Sequence, residues 1–165
     1  MEFEKVDIKG LILFKPKLIY DNRGFFSETF RKDYFEKIIG NKVNFCQSNT
    51  SESTFGTIRG LHFQISPSSQ SKLVSVSKGE ILDVALDIRK NSSTYGKFYS
   101  VILNENNNFQ LYIPQGFAHG FSVLSKKATG FEILEHLVSP FPLLKNLNCK
   151  RLFVTVPLSL WFSIN

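Results

Sequence analysis

Two neighbouring segments alternate apolar and polar side chains, and that period of two confines the chain to β-structure. From Lys72 to Ser77 the apolar positions are Leu73, Val74 and Val76. From Ile81 to Ile88 they recur at Leu82, Val84, Leu86 and Ile88. Such alternation buries one face of a strand and leaves the other free. Gly79-Glu80 between the two segments reads as a turn. Tyr99 to Leu103, Phe109 to Pro114 and Phe121 to Leu124 are further short runs, and Gly10 to Ile19 is a longer one punctuated by Pro16. Short strands at close spacing predict an all-β sandwich or barrel. One segment breaks the rule. Phe30, Tyr34, Phe35, Ile38 and Ile39 share a helical face, and Gly40 follows as a stop, so a single short N-terminal helix is expected. Polar Ser66 to Ser71 reads as a loop.

Composition narrows the function classes. The 165 residues are one domain's worth of chain, and 42% hydrophobic with 21% charged residues describes a globular protein. No apolar run approaches the roughly 20 residues of a membrane span. The first ten residues alternate charged and apolar side chains, unlike a signal peptide. Cys46 and Cys149 are too few for a disulfide scaffold, so a cytoplasmic protein with reduced thiols is expected. The net charge of +6 favours an acidic partner. The 20 Lys and Arg are scattered rather than striped, which fits a small anion better than nucleic acid or a membrane surface.

Four polar clusters interrupt the strands. In Asp21-Asn22-Arg23-Gly24-Phe25-Phe26-Ser27-Glu28, a guanidinium could fork onto phosphate oxygens while an aromatic face takes a flat base; taken alone, a surface turn with two core phenylalanines is the favoured reading. Gln47 and Asn49 sit two residues apart, so on a strand both amides face the same way, as sugar hydroxyls would require. An ordinary polar loop is the competing reading. Ile58-Arg59-Gly60-Leu61-His62-Phe63-Gln64 offers a histidine, whose proton affinity lies near neutrality, beside an arginine that could hold an anion. A lone histidine in an apolar strand is equally a core residue. Ile113-Pro114-Gln115-Gly116-Phe117-Ala118-His119-Gly120-Phe121 carries P-x-G-x-x-H-G, the second signature of cupin barrels. The H-x-H of the first cupin signature is absent, because Phe63 and Gln64 follow His62, and His136 has no matching pattern around it. A metal is therefore not expected.

Taken in order, D-x-R-G-F-F-x-E, Q-x-N, R-G-L-H-F-Q, K-L-V-x-V-x-x-G-E-I-x-D-V-A-x-D-I-R and Q-L-Y-I-P-x-G-F-A-H-G-F resemble the dTDP-4-dehydrorhamnose 3,5-epimerases, the cupin enzymes of the rhamnose-precursor pathway. The resemblance runs from about residue 3 to about residue 129. It implies a cupin jelly-roll barrel, a homodimer that exchanges an N-terminal strand, a dTDP-4-keto-6-deoxy sugar as substrate and no cofactor. It also implies roles. His62 matches the catalytic base, Lys72 the lysine near the C4 carbonyl oxygen, and Asp83 a buried acid near that lysine. Arg23 and Arg59 match diphosphate contacts, with the Arg23 segment lying near or across the dimer interface. Phe25 or Phe26 would pack by the thymine, Glu28 would touch substrate, Gln47 and Asn49 would touch the nucleotide-sugar end, and His119 would be a sugar-side contact at the barrel mouth.

Past residue 129 the pattern departs. The family's tyrosine, the acid on the far face of the sugar, is missing: no tyrosine follows Tyr112, and Glu132 stands in its place. Glu132 could substitute as the acid only with a raised proton affinity. The C-terminal aspartate that supports the family's histidine is missing too, since no aspartate follows Asp87. Residues 130–165 hold 8 of the 18 leucines and 3 of the 6 prolines. A disrupted reading frame and a divergent, non-catalytic or 3-epimerase-like paralogue both account for such a tail. A strand around Thr155 and Val156 is the one element it suggests.

Overall fold

The computed structural model describes residues 2–66 and 68–135 and the backbone of Arg151–Phe153. In chain order the elements are β1 (Glu2–Lys5), β2 (Ile12–Lys15), β3 (Ile19–Asp21), β4 (Gly24–Phe26), α1 (Lys32–Ile39), β5 (Gln47–Thr54), β6 (Ile58–Gln64), β7 (Lys72–Lys78), β8 (Glu80–Asp87), β9 (Phe98–Asn104), β10 (Gln110–Ile113), β11 (Phe117–Val123), β12 (Lys127–Leu134) and β13 (Arg151–Phe153). Six strands form one antiparallel sheet in the order β1-β2-β10-β7-β12-β5. Five form a second in the order β13-β6-β11-β8-β9. The hairpin β3-β4 stands apart from both. This is the expected all-β jelly roll with one short helix. The supposed strand around Thr155 lies outside the described residues, as do His136 and Cys149.

Each sheet turns an apolar face inward. Val74 and Val76 of β7, Leu13 of β2 and Leu111 and Ile113 of β10 meet Ile81 and Ala85 of β8, Leu103 of β9 and Phe117 and Val123 of β11 in one buried cluster. Residues one step out of phase face the other way. Leu73, Ile12 and Tyr112 turn outward under α1, where Phe35 stacks on Phe14 with ring centroids 5.0 Å apart. The helix thus seals the outer face of the six-stranded sheet.

The expected boundaries shift for identifiable reasons. The run from Gly10 to Ile19 splits because Pro16 has no N–H to give a ladder, and β2 ends at Lys15. Phe30 packs with the helix but precedes it: Arg31 is extended, and the helix begins at Lys32. Gly40 stops it in the left-handed conformation, with its N–H donating to the Glu36 carbonyl at 2.9 Å. β11 begins four residues before the expected Phe121, so His119 lies within a strand.

Candidate active site

Two strands of the five-stranded sheet set the two histidines side by side. His62 on β6 pairs directly with His119 on β11. Glycines allow that approach. A Cβ on Gly60 would lie 2.6 Å from both the Gly120 Cα and the His119 carbonyl oxygen. A Cβ on Gly120 would lie 2.6 Å from the Arg59 carbonyl oxygen. Neither contact is tolerable, so the R-G-L-H and H-G-F glycines exist to let the backbones touch. The ladder slips register just past His119, and the imidazoles stand edge to face at 5.8 Å.

His119 is fully buried. Its Nε2 lies 2.8 Å from Asp83 Oδ1 on β8, itself wholly buried. A carboxylate only accepts, so we assign a proton to Nε2. Nδ1 is buried without a hydrogen-bond partner, 3.7 Å from Glu132 Oε1.

The opposite wall comes from the six-stranded sheet. Glu132 on β12 pairs with Asn49 on β5, and Leu134 pairs with Gln47 and with Lys72. Period two then places Gln47, Asn49, Glu132, Leu134 and Lys72 on one face, toward the histidines. Gln47 and Asn49 do share a face, as their spacing indicates, and the Gln47 Nε2 donates to Asn49 Oδ1 at 2.8 Å. Between the sheets opens a cavity of about 380 Å³, lined among others by Asn49, Arg59, His62, Gln70, Lys72 and Glu132. Lys72 is only 4% exposed. Burial depresses its pKa, against the pull of Glu132 and Asp83, and the net direction is down. Glu132 runs the other way. Burial raises its carboxyl, but Lys72, His119, His62 and Arg59 lower it, and the net lies below the ordinary carboxylate value.

That direction runs against one expectation. A substitute acid at residue 132 needs a raised pKa, and the neighbours of Glu132 shift it the other way. His119 is buried beside His62, at the base of the cavity wall. Asp83 is the buried acid expected, and its direct partner is His119. Arg59 lies at the cavity, its guanidinium Nη2 3.4 Å from the Glu52 carbonyl oxygen.

The first cluster does not join this cavity. Arg23 is exposed on the β3-β4 hairpin and pairs with Asp21 at 2.6 Å. Phe25 and Phe26 are 55% and 69% exposed, so neither is the core residue of the competing reading. Glu28 lies 3.8 Å from Arg31 at the surface. Sequence reasoning missed Gln70, which the loop before β7 delivers buried to the cavity wall. Nothing in its polar surroundings distinguishes it. The expectation of no metal rested on the linear pattern alone, yet the ligand atoms of His62, His119 and Glu132 all lie within 4.8 Å of one another. No described helix is long and apolar enough to cross a membrane.

Comparison with known proteins adds the chain's relations. The family model for dTDP-4-dehydrorhamnose 3,5-epimerase matches residues 5–139. The Shigella flexneri protein of that name is 51% identical over 128 residues, covering 78% of this chain and 71% of its own. A Legionella pneumophila dTDP-6-deoxy-D-glucose-3,5-epimerase, solved in complex with dTDP-4-keto-L-rhamnose, superposes with a TM-score of 0.81. It is 43% identical, over 84% of this chain and 73% of that one. A 3'-monoepimerase from Streptomyces bikiniensis, solved with dTDP-quinovose, gives a TM-score of 0.77 at 29% identity, over 82% and 68% of the two chains. With that barrel, those strand-borne histidines and a match over most of its length, the chain belongs to the dTDP-4-dehydrorhamnose 3,5-epimerase family.

Proposed function

We propose that this chain binds dTDP-4-dehydro-6-deoxyglucose and works on the carbons flanking its keto group, with His62 as the base. The supporting observation is His62 in a cavity between the two sheets, with a buried lysine and an arginine lining the same space. A C4 carbonyl acidifies the protons on C3 and C5. His62 takes one of them, and negative charge moves to O4. Lys72 meets that oxygen. Burial loosens its hold on its own proton, so it can donate as the enolate forms. Arg59 takes the diphosphate, and Asn49 and Gln47 the hydroxyls at the sugar end. Asp83 and His119 form a buried pair beside His62 that fixes its surroundings.

Inversion needs a proton returned from the far face. The group standing there, Glu132, has its pKa lowered by Lys72 and its other neighbours, which makes it a poor proton donor. Loss of a general acid typically costs about 10²–10⁴-fold. Proton removal therefore outruns inversion in this chain. The β3-β4 arm completes the site from a second copy: its arginine and aromatic residues are exposed and away from the cavity of their own chain. The working unit in this reading is a homodimer.

Incubation with the substrate in D₂O, followed by NMR at C3 and C5, tests this. Deuterium entering the substrate faster than product forms, and not entering with His62→Ala, is the expected result. Exchange unchanged in His62→Ala would remove His62 as the base. No exchange, with dTDP still bound, would leave a binding protein without the reaction.

A further inference from the structure

His62, His119 and Glu132 come from three strands and two sheets, and they place three ligating side chains around one point. We propose that they form a binding site for a divalent transition-metal ion of the Zn²⁺ or Co²⁺ kind. Two imidazoles and one carboxylate, with the cavity open on the remaining side, are the donor set of sites that keep a coordination position for water.

Three observations carry the assignment. The first is proximity: all three ligand atoms lie within 4.8 Å of one another, and His119 Nδ1 lies 3.7 Å from Glu132 Oε1. Metal–nitrogen and metal–oxygen bonds of about 2.0–2.2 Å need the ligands somewhat closer, a movement that falls mainly to the half-buried His62 side chain, because His119 and Glu132 already stand 3.7 Å apart. The second is the orphaned His119 Nδ1, buried with no hydrogen-bond partner among the described residues. A buried unpartnered polar atom is costly, and a metal ion would satisfy it. The third is the Asp83 carboxylate on the opposite ring nitrogen at 2.8 Å. Carboxylate–histidine–metal chains hold the imidazole tautomer and orientation in this way.

The glutamate is what completes the set. His62 and His119 alone supply two ligands, too few for a stable site. Lys72 and Arg59 share the cavity and oppose a cation, so the site binds more weakly than an isolated set of the same donors. An ion held here occupies His62 and competes with a nucleotide sugar. The assignment does not rest on the epimerase reading, because metal binding needs no substrate.

Titration of the metal-free protein with Co²⁺ alone, read by visible d–d absorption and by equilibrium dialysis, tests the site. One equivalent should bind with the bands of a low-coordinate N/O site, and Zn²⁺ should displace it. Glu132→Gln and His62→Ala should each abolish the bands. Asp83→Asn should weaken binding by about 10–100-fold. Glu132 and His62 are not fully buried, so their variants should stay folded, which circular dichroism would check. Carrying Cys46→Ser throughout removes the exposed thiol as an alternative ligand. The absence of Co²⁺ binding, or binding of equal strength in Glu132→Gln and His62→Ala, would overturn the proposal.

Discussion

Glu132 occupies the position that decides what the cavity can do with a proton. Its neighbours on three sides are Lys72, His119 and His62, and their pull outweighs the cost of burying a carboxylate. An anion there balances the cationic wall, yet it is the wrong form for a group that must deliver a proton. Restoring a phenol should therefore help. Glu132→Tyr should raise the rate of epimerisation by about 10²-fold or more while leaving deuterium entry at C3 and C5 nearly unchanged, measured by NMR on the same samples. An unchanged ratio of product to exchange would place the deficit elsewhere in the chain. The residues that the sequence made legible are those whose neighbours in the chain explain them. Arg59-Gly60-Leu61-His62 shows its histidine and the glycine that lets it approach β11. His119 was legible from its own segment, but its bond to Asp83, 36 positions away, was not.

At the level of elements, the same contrast separates β7 and β8 from β5. The alternation in β7 and β8 pays out in Val74, Val76, Ile81 and Ala85, which form the barrel interior, so their period could be read directly. β5 is Gln47-Ser48-Asn49-Thr50-Ser51-Glu52-Ser53-Thr54, without one apolar residue. Its inner face is a polar cavity wall, and its place is set by ladder bonds to β12 rather than by burial of apolar area. β12 in turn was hidden by the change of composition at residue 130, although its ladder with β5 and β7 is continuous from Lys127 to Leu134 apart from one bulge. A second element-scale device closes β8 onto β9. Asp87, fully buried, accepts bonds from Arg89 at 2.7 Å, Ser92 at 2.7 Å and Thr94 at 2.6 Å. Burial alone would raise the Asp87 carboxyl, but those donors win and hold it well below the usual range. The folded pKa is thus lower than the unfolded one, near 3.9. The stabilisation is complete above that value and fades as pH falls toward the folded pKa. Asp87→Asn should cost about 3 kcal/mol at neutral pH. Its deficit against the parent chain, from urea melts, should shrink steadily below about pH 4. A deficit that stayed constant to pH 2.5 would mean that the loop does not depend on the charge.

For the whole molecule, the telling feature is an arm with no partner of its own. Ile19, Tyr20, Phe25 and Phe26 are 56%, 70%, 55% and 69% exposed on a hairpin that belongs to neither sheet. Two strands alone are marginal in water, and a cluster of exposed aromatic residues marks a surface meant to be covered. Arg23 sits at the hairpin's turn, where among the described residues Asp21 balances it. The two-fold dimer proposed above would account for both facts if each arm lay over the other copy's cavity. Such an arrangement has a consequence that no single-chain site shares. Mix the Arg23→Ala variant, which keeps its cavity, with the His62→Ala variant, which keeps its arm. If arms act across the dimer, each mixed dimer contains one site with an intact His62 from one copy and an intact Arg23 from the other. Random re-pairing should then recover about a quarter of the parent chain's sites, read as deuterium entry into the nucleotide sugar after denaturation and joint refolding. If each arm served its own cavity, every site in the mixture would carry one defect and no activity would return. A sedimentation measurement on the same mixture keeps the two cases apart from a failure to re-pair. A dimeric mixture without activity would confine the arm to its own chain.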